Sequence, residues 1–295
     1  MDLESFNTSR ESLVPLLALN NKSNKNIIIF PTDKEAIEFS TDFSNLNKDI
    51  YHLPSWDTLS YDSFAPSLDI QGKRLEIAHL LLTTDTYNIA TSIKAIAQRI
   101  YFEELEICNI SLNEEIDFDL LIENLIHLKY QRKDRVESKG SFAIRGGQLD
   151  VFPINYDLPL RVIFDGDLVN EIKTFDIISQ RSITEKSNFL VVPATELFQI
   201  QQSDILNLSS HNKENLDDYE LFQYSQNLDL EKCLLDLTSK ATLHIVDKNL
   251  VDNQLKEIID IEKDTFENLK QYFSLEIRNF KSRYKDISKY FGEYD

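Results

Sequence analysis

The tightest constraint in this sequence is four residues long. Ile27-Ile28-Ile29-Phe30 is an unbroken apolar run stopped by Pro31. A strand that is apolar at every position, not at alternate ones, has both faces covered, and that is the property of a buried parallel strand. The residues after it agree. Ala36, Ile37, Phe39 and Phe43 recur at helical spacing, Thr32 or Asp33 can cap that helix, and Glu35 suits its first turn. Residues 51–53 and 87–90 read as further strands, and residues 75–82 and 92–100 as further helices. Strand and helix alternating in this way predict an α/β sheet over roughly the first 115 residues.

The pattern changes near residue 120. A helix is expected over residues 120–128, and then Gly140, Gly146 and Gly147 come close together. Short segments at 130–136, 141–144, 148–152, 160–164 and 168–174 are separated by turn signals, as in a small antiparallel sheet. Further on, residues 242–246 read as a strand, and a long helical pattern runs from Val251 towards Tyr290. Charge follows the same division. The chain carries 50 acidic and 31 basic side chains, net −19. Residues 119–199 hold 12 acidic and 10 basic, net −2, against −10 for residues 1–118 and −7 for residues 200–295. A basic cluster, Lys129, Arg132, Lys133, Arg135 and Lys139, lies in the near-neutral middle. So acidic a chain lacks the clustered cations with which a protein releases counterions from nucleic acid.

Several kinds of chemistry have no signal. No G-x-x-x-x-G-K-[ST] occurs, so the loop that wraps phosphates with glycine N–H groups is missing. His52, His79, His127, His211 and His244 are scattered, and none forms a metal-ligand spacing. Cys108 and Cys233 are the two cysteines, too few for a disulfide framework or a four-cysteine zinc site. No catalytic residue, metal or cofactor is expected. No apolar run approaches the ~20 residues of a membrane span, and the acidic start MDLESFNTSRES is unlike a signal peptide. The expectation is a soluble cytoplasmic protein.

Two stretches stand out. Residues 53–74 hold the single tryptophan, Trp56, with Tyr61, Phe64 and Pro66, in what reads as a loop between strand and helix. Either buried aromatics hold this loop down, or it grips a partner or single-stranded DNA by stacking. Asp57, Asp62 and Asp69 would repel phosphate, which favours the first. The other stretch, residues 141–182, turns at Gly146-Gly147 and carries Arg145 and Arg161 on its strands. Arginines exposed on a small sheet suit a partner bearing carboxylates. The alternative is local salt bridges to Asp150, Asp165 or Asp167, worth little if exposed.

These stretches resemble the N-terminal part of the bacterial transcription-repair coupling factors. The family pattern W-[ED]-T-L-P-Y-D-x-F-x-P-x-x-D-x-x-x-x-R stands here as Trp56-Asp57-Thr58-Leu59-Ser60-Tyr61-Asp62-Ser63-Phe64-Ala65-Pro66, with Asp69 and Arg74 following. A second signature runs from Gly140 through Gly146 and Asp150 to Pro153, then Pro159 to Arg161, Phe175-Asp176 and Gln180-Arg181-Ser182. Pro193-Ala194-Thr195-Glu196 matches the close of the module. The resemblance is strong across residues 27–198.

It implies the module shared with the excision-repair helicase UvrB: a degenerate RecA-like α/β domain split by an inserted small β-rich (α+β) domain. The first half would be residues 1–118, the insert 119–198 and the second half 199–295. In that family the module has lost nucleotide hydrolysis. Its insert binds UvrA, the damage-recognition ATPase of nucleotide excision repair, and takes part in autoinhibition. The family's UvrA-binding arginines fall on Arg145 and Arg161. The family's aromatic contact falls on Asp165, and Phe164, next to it, would serve if a bulge turned its side chain outward. Polymerase binding and DNA translocation belong to family domains that these 295 residues do not include, so the chain is expected to be a fragment or a stand-alone module. The resemblance implies a non-catalytic recruiter of UvrA. The alternatives are a divergent DNA-stimulated ATPase and a single-strand DNA binder using residues 56–64.

Overall fold

The computed structural model describes residues 4–8, 24–45, 49–201, 218–225, 228, 231–238, 240–269 and 280–291. In chain order it begins with strands β1 (Glu4–Thr8) and β2 (Lys25–Phe30), helix α1 (Asp33–Ser44) and strand β3 (Tyr51–Leu53). Helix α2 (Leu68–Thr83), strand β4 (Tyr87–Ser92) and the short helix α3 (Ile93–Ala97) follow. Strand β5 (Cys108–Ser111) and helix α4 (Phe118–His127) lead into β6 (Gln131–Arg132), β7 (Ser141–Arg145) and β8 (Gln148–Phe152). Next are β9 (Leu160–Asp165), β10 (Leu168–Phe175), β11 (Ser182–Glu185) and β12 (Asn188–Val191). Helix α5 (Asp218–Ser225), strand β13 (Thr242–Val246) and helix α6 (Lys248–Leu269) complete the series.

The chain divides into two compact units. The first comprises Met1–Pro66, Ile77–Tyr101 and Ile200–Asp295; the second comprises Ser67–Glu76 and Phe102–Gln199. The sequence-based boundaries at 118 and 198 differ from these in where residues 67–76, 102–118 and Gln199 fall.

In the first unit the described strands form a parallel sheet in the order β1-β13-β2-β4-β3. β2 is central, and Ile27, Ile28 and Ile29 are wholly buried, as an all-apolar strand requires. Phe39 and Phe43 of α1 stack over β2, with Phe30 and Phe39 centroids 5.2 Å apart. Thr32 caps α1, its hydroxyl accepting from the Glu35 N–H at 3.3 Å. The Asp33 carboxylate sits where β2, β3 and β4 end, accepting from Ser55 Oγ and Ser92 Oγ, each at 2.6 Å. α6 is described from Lys248 to Leu269; Tyr272 and Phe273 of the expected longer helix lie outside the described residues, as do the stretch 13–19 and His211.

In the second unit the described strands form a sheet in the order β11-β10-β9-β8-β7-β6, antiparallel apart from the β6–β7 pair. β5 and β12 pair separately. One face of the large sheet carries Phe142, Leu149, Val151, Leu160 and Val162 into a core closed by α4 through Leu121 and Leu125. The other face is capped more thinly, by Val136 and Ile177 over Ala143, Phe152 and Phe175. Two matched motifs far apart in sequence meet here. Arg74 Nε donates to Glu196 Oε1 at 2.9 Å with both side chains buried, and Gln71 Oε1 accepts from Thr195 Oγ1 and the Glu196 N–H, each at 3.0 Å. Gly72 makes this approach possible: a Cβ there would stand 2.4 Å from the Ile154 carbonyl oxygen.

The structure is thus mixed α/β, with a parallel sheet and separate β-rich sheets. Among the described residues no helix is long and apolar enough to cross a membrane.

Candidate functional site

Antiparallel register decides which side chains share a face, because residues directly opposite one another point the same way. Ala143, Asp150, Arg161 and Lys173 stand opposite one another in turn, and so do Arg145, Gln148 and Ile163. Arg145 and Arg161 therefore share the thinly capped face. Between β7 and β8, Gly146 has φ +61 and Gly147 does not, the pattern of a hairpin turn with glycine at its first central position. Gly147 is also steric: an added Cβ would meet the Phe164 carbonyl oxygen at 2.8 Å.

The two arginines are in different states. Arg161 forks onto Asp150, Nε to Oδ1 at 2.7 Å and Nη2 to Oδ2 at 2.8 Å. Its Nη1 donates to the Gln180 carbonyl at 3.1 Å, and its guanidinium lies 4.5 Å from the Phe175 ring centroid. The Asp150 side chain is 4% exposed and that of Arg161 17%. Asp150's hydrogen bonds hold the guanidinium's pKa above its ordinary value. Of the local ion pairs weighed from sequence, Arg161–Asp150 forms and is largely buried. Arg145, in contrast, is exposed, and Nη2 makes one 3.1 Å bond to the Asp134 carbonyl.

Phe164 and Asp165 separate by the alternation of the strand. Asp165 is exposed at the end of β9. Phe164 points into the opposite, core face and packs edge-on against Phe118 with centroids 4.9 Å apart. The irregularity in this ladder lies in β10, between Val169 and Glu171, so β9 is not turned. The expectation that Phe164 would supply an apolar contact is corrected: it is a core residue. Asp167, the other carboxylate weighed as a partner, accepts from the Phe118 N–H at 3.3 Å.

The loop with the single tryptophan is pinned down within the first unit. Trp56 is 1% exposed, between Tyr101 at 6.1 Å and the edge of Phe222 at 5.1 Å, with the Arg283 guanidinium 5.2 Å from its ring. Tyr61, at φ +68, packs against Phe266. Ser60 and Ser282 both donate to buried Glu262. Asp62 Oδ2 accepts from the Leu59 N–H at 2.6 Å, and Pro66 is buried. Phe64 alone of the three aromatics is exposed, at 75%. Of the two readings of this loop, burial supports the favoured one, buried aromatics, over a stacking platform of Trp56, Tyr61 and Phe64: two of those rings face inward. Pro153 is likewise buried.

Among the described residues no three His, Cys, Asp or Glu side chains gather into a set that could hold a metal ion. Cys108 and Cys233 are buried and unbridged, and burial raises both thiols, Cys233 to about 12.

One element of the arginine face escaped the sequence reading. Residues 176–181 join β10 to β11 in a tight loop, and Ile178 at its tip is 87% exposed. The signal was local: Asp176 followed three residues later by Ser179, a spacing that closes a side-chain turn.

Residues 108–197 match the family model described as the UvrB interaction domain. The transcription-repair-coupling factor of Mycobacterium bovis is 31% identical over 169 residues, 54% of this chain and 14% of the relative. That of Bacillus subtilis is 26% identical over 287 residues, 84% of this chain and 24% of the relative. The UvrABC system protein B of Clostridium botulinum is 36% identical over 96 residues, 32% of this chain and 14% of the relative. The chain thus spans between 14% and 24% of the length of these relatives.

Proposed function

We propose that this chain, an N-terminal module similar to those of coupling factors and UvrB, serves nucleotide excision repair by docking UvrA without catalysing a reaction itself. The observation that carries this is Arg145, exposed on the sheet face of the segment that matches the UvrB interaction domain and held by one bond to a carbonyl. A guanidinium so placed can give a carboxylate of a partner two parallel hydrogen bonds at little cost to its own fold. The degenerate RecA-like domain, expected as halves 1–118 and 199–295, would correspond to most of the first unit, and the insert, expected as 119–198, to most of the second. RNA polymerase and DNA would be partners of other domains of an intact coupling factor.

The non-catalytic part of this reading has support at the carboxyl ends of the parallel strands, where ligands of such sheets sit. After β2 that place holds the Asp33 carboxylate, hydrogen-bonded to two serines, and a carboxylate repels a phosphate.

A binding titration with purified UvrA tests the proposal. The intact chain binds, and the Arg145→Ala, Arg161→Ala double variant binds weaker by about 2 kcal/mol or more, roughly 30-fold. Absence of binding by the intact chain would sink the proposal. ATP turnover by the purified chain, with or without DNA, would sink its non-catalytic part.

A further inference from the structure

We propose that the loop of residues 176–181 is an apolar element of the same docking surface, with Ile178 as its anchor and Arg161 as the positioning residue that holds it. This rests on the UvrA-docking reading and names the chemistry the partner must offer: an apolar socket rimmed by carboxylates.

Ile178 is the most exposed large apolar side chain among the described residues. An isolated exposed isoleucine needs no explanation, but this one sits on a loop built to hold still. Asp176 Oδ1 accepts from the Ser179 N–H and from Ser179 Oγ, both at 2.7 Å. The Gln180 N–H donates to the Asp176 carbonyl at 2.8 Å, and the Asp176 N–H to the Arg181 carbonyl at 3.0 Å. Gln180 Nε2 donates to the Ile177 carbonyl at 2.7 Å, while Ile177 packs with Val136 and Phe175 beneath the loop. The chain thus half-buries one of two consecutive isoleucines and presents the other. A loop backbone held in this way loses little conformational freedom on binding, which favours an interface anchor.

The loop is tied to the arginines. Arg135 Nη2 donates to the carbonyls of Ile177 at 2.9 Å and Ile178 at 3.2 Å. Arg145 bonds the carbonyl of Asp134, the residue before Arg135, so Ile178 and Arg145 both touch one dipeptide. Arg181 is exposed at the far end of the loop. The apolar tip is therefore flanked by the Arg135 guanidinium, itself 3.9 Å from Glu137, and shares its loop with Arg181, so the socket it fits would be rimmed by carboxylates.

Arg161 plays a different part. To reach a partner it would leave Asp150 as a buried carboxylate without its counter-ion, which is strongly unfavourable. Its third bond goes to Gln180 in the loop. Arg161 therefore acts on the partner through the loop, whereas Arg145 touches it directly.

The experiment is a UvrA titration with the full chain and its variants, each checked by thermal melting. Ile178→Asp is expected to weaken binding about tenfold or more without lowering the melting temperature, since the side chain is exposed. Arg161→Ala weakens binding in the natural background but by less than about twofold further once Ile178 is Asp, the non-additivity of coupled residues. It also speeds amide hydrogen exchange at Ser179 and Gln180, which Arg145→Ala does not. Should Arg161→Ala fail to fold, Asp176→Ala frees the loop without touching the Arg161–Asp150 pair and is expected to match Ile178→Asp. If Ile178→Asp binds as the natural chain does while Arg145→Ala is weakened, the loop proposal falls and the UvrA reading stands. Additive losses for Arg161 and Ile178 overturn the positioning role. No binding by the natural chain overturns both readings.

Discussion

Arg145 and Arg161 are indistinguishable in sequence: each lies on a strand, in the same module, beside acidic residues. Register and burial separate them. Arg161 is committed to a buried carboxylate, an aromatic ring and a loop carbonyl, and Arg145 to one carbonyl. Their effects on stability should differ accordingly. Arg145→Ala is expected to leave stability within about 0.5 kcal/mol in a denaturant titration, as exposed substitutions do. The strongest single-residue effect belongs elsewhere, to Arg74. Its pair with Glu196 is buried on both sides, so Arg74→Ala strands a carboxylate and should cost about 3–5 kcal/mol. A loss below about 1 kcal/mol would show that water reaches Glu196. Phe164 carries the same lesson. One step along a strand reverses the direction of a side chain, and only the pairing of β9 with its neighbours shows which residue faces the core.

At the scale of elements, hairpins followed local chemistry closely, while helix bounds shifted: α2 runs Leu68–Thr83 against the expected 75–82, taking in part of the stretch read as a loop, and α3 Ile93–Ala97 against 92–100. The β7–β8 hairpin turns at its glycines, and the strands expected at 148–152 and 242–246 form at those bounds. Gly147 is required by contact as well as by the turn, so Gly147→Ala should destabilise the chain by about 1–3 kcal/mol, read from the midpoint of denaturant unfolding. Short elements made largely by distant partners were not legible. β1, β5 and β12 are strands because β13 and each other supply their hydrogen bonds. Residues 130–136 alternate like a strand, yet only Gln131 and Arg132 pair, since Val136 turns over the outer face of the sheet. The aromatic loop is the converse case, its bland reading supported by burial. Trp56 being the one tryptophan, emission should be blue-shifted, resist acrylamide quenching and not respond to oligonucleotide at low salt. A response would mean that the loop opens.

At the scale of the molecule, charge is the property most visible in sequence: acidic flanks around a near-neutral middle that carries the arginine face. Titration behaviour is less visible. His244 on β13 is buried, its Nε2 3.2 Å from Asn26 Oδ1, and burial holds its pKa below the ordinary 6.5. Above 6.5 neither the folded nor the unfolded chain is protonated there. As pH falls through 6.5 the unfolded chain takes up the proton first, so stability drops until the lower folded pKa is reached. The melting temperature should therefore fall as the pH drops below about 6.5, and His244→Gln should flatten part of that fall. An equal slope in the variant would assign the effect to other groups. By itself the sequence determined the buried strand at Ile27, the α/β order after it, the glycine turn and the two arginines, because each depends on neighbours in the chain. Tertiary structure alone decided that Arg74 meets Glu196, that Trp56 faces inward, that Arg161 is held by Asp150 and that Ile178 is presented to solvent. Those outcomes depend on which distant residue arrives opposite, and no local pattern encodes a partner that is far away in the chain.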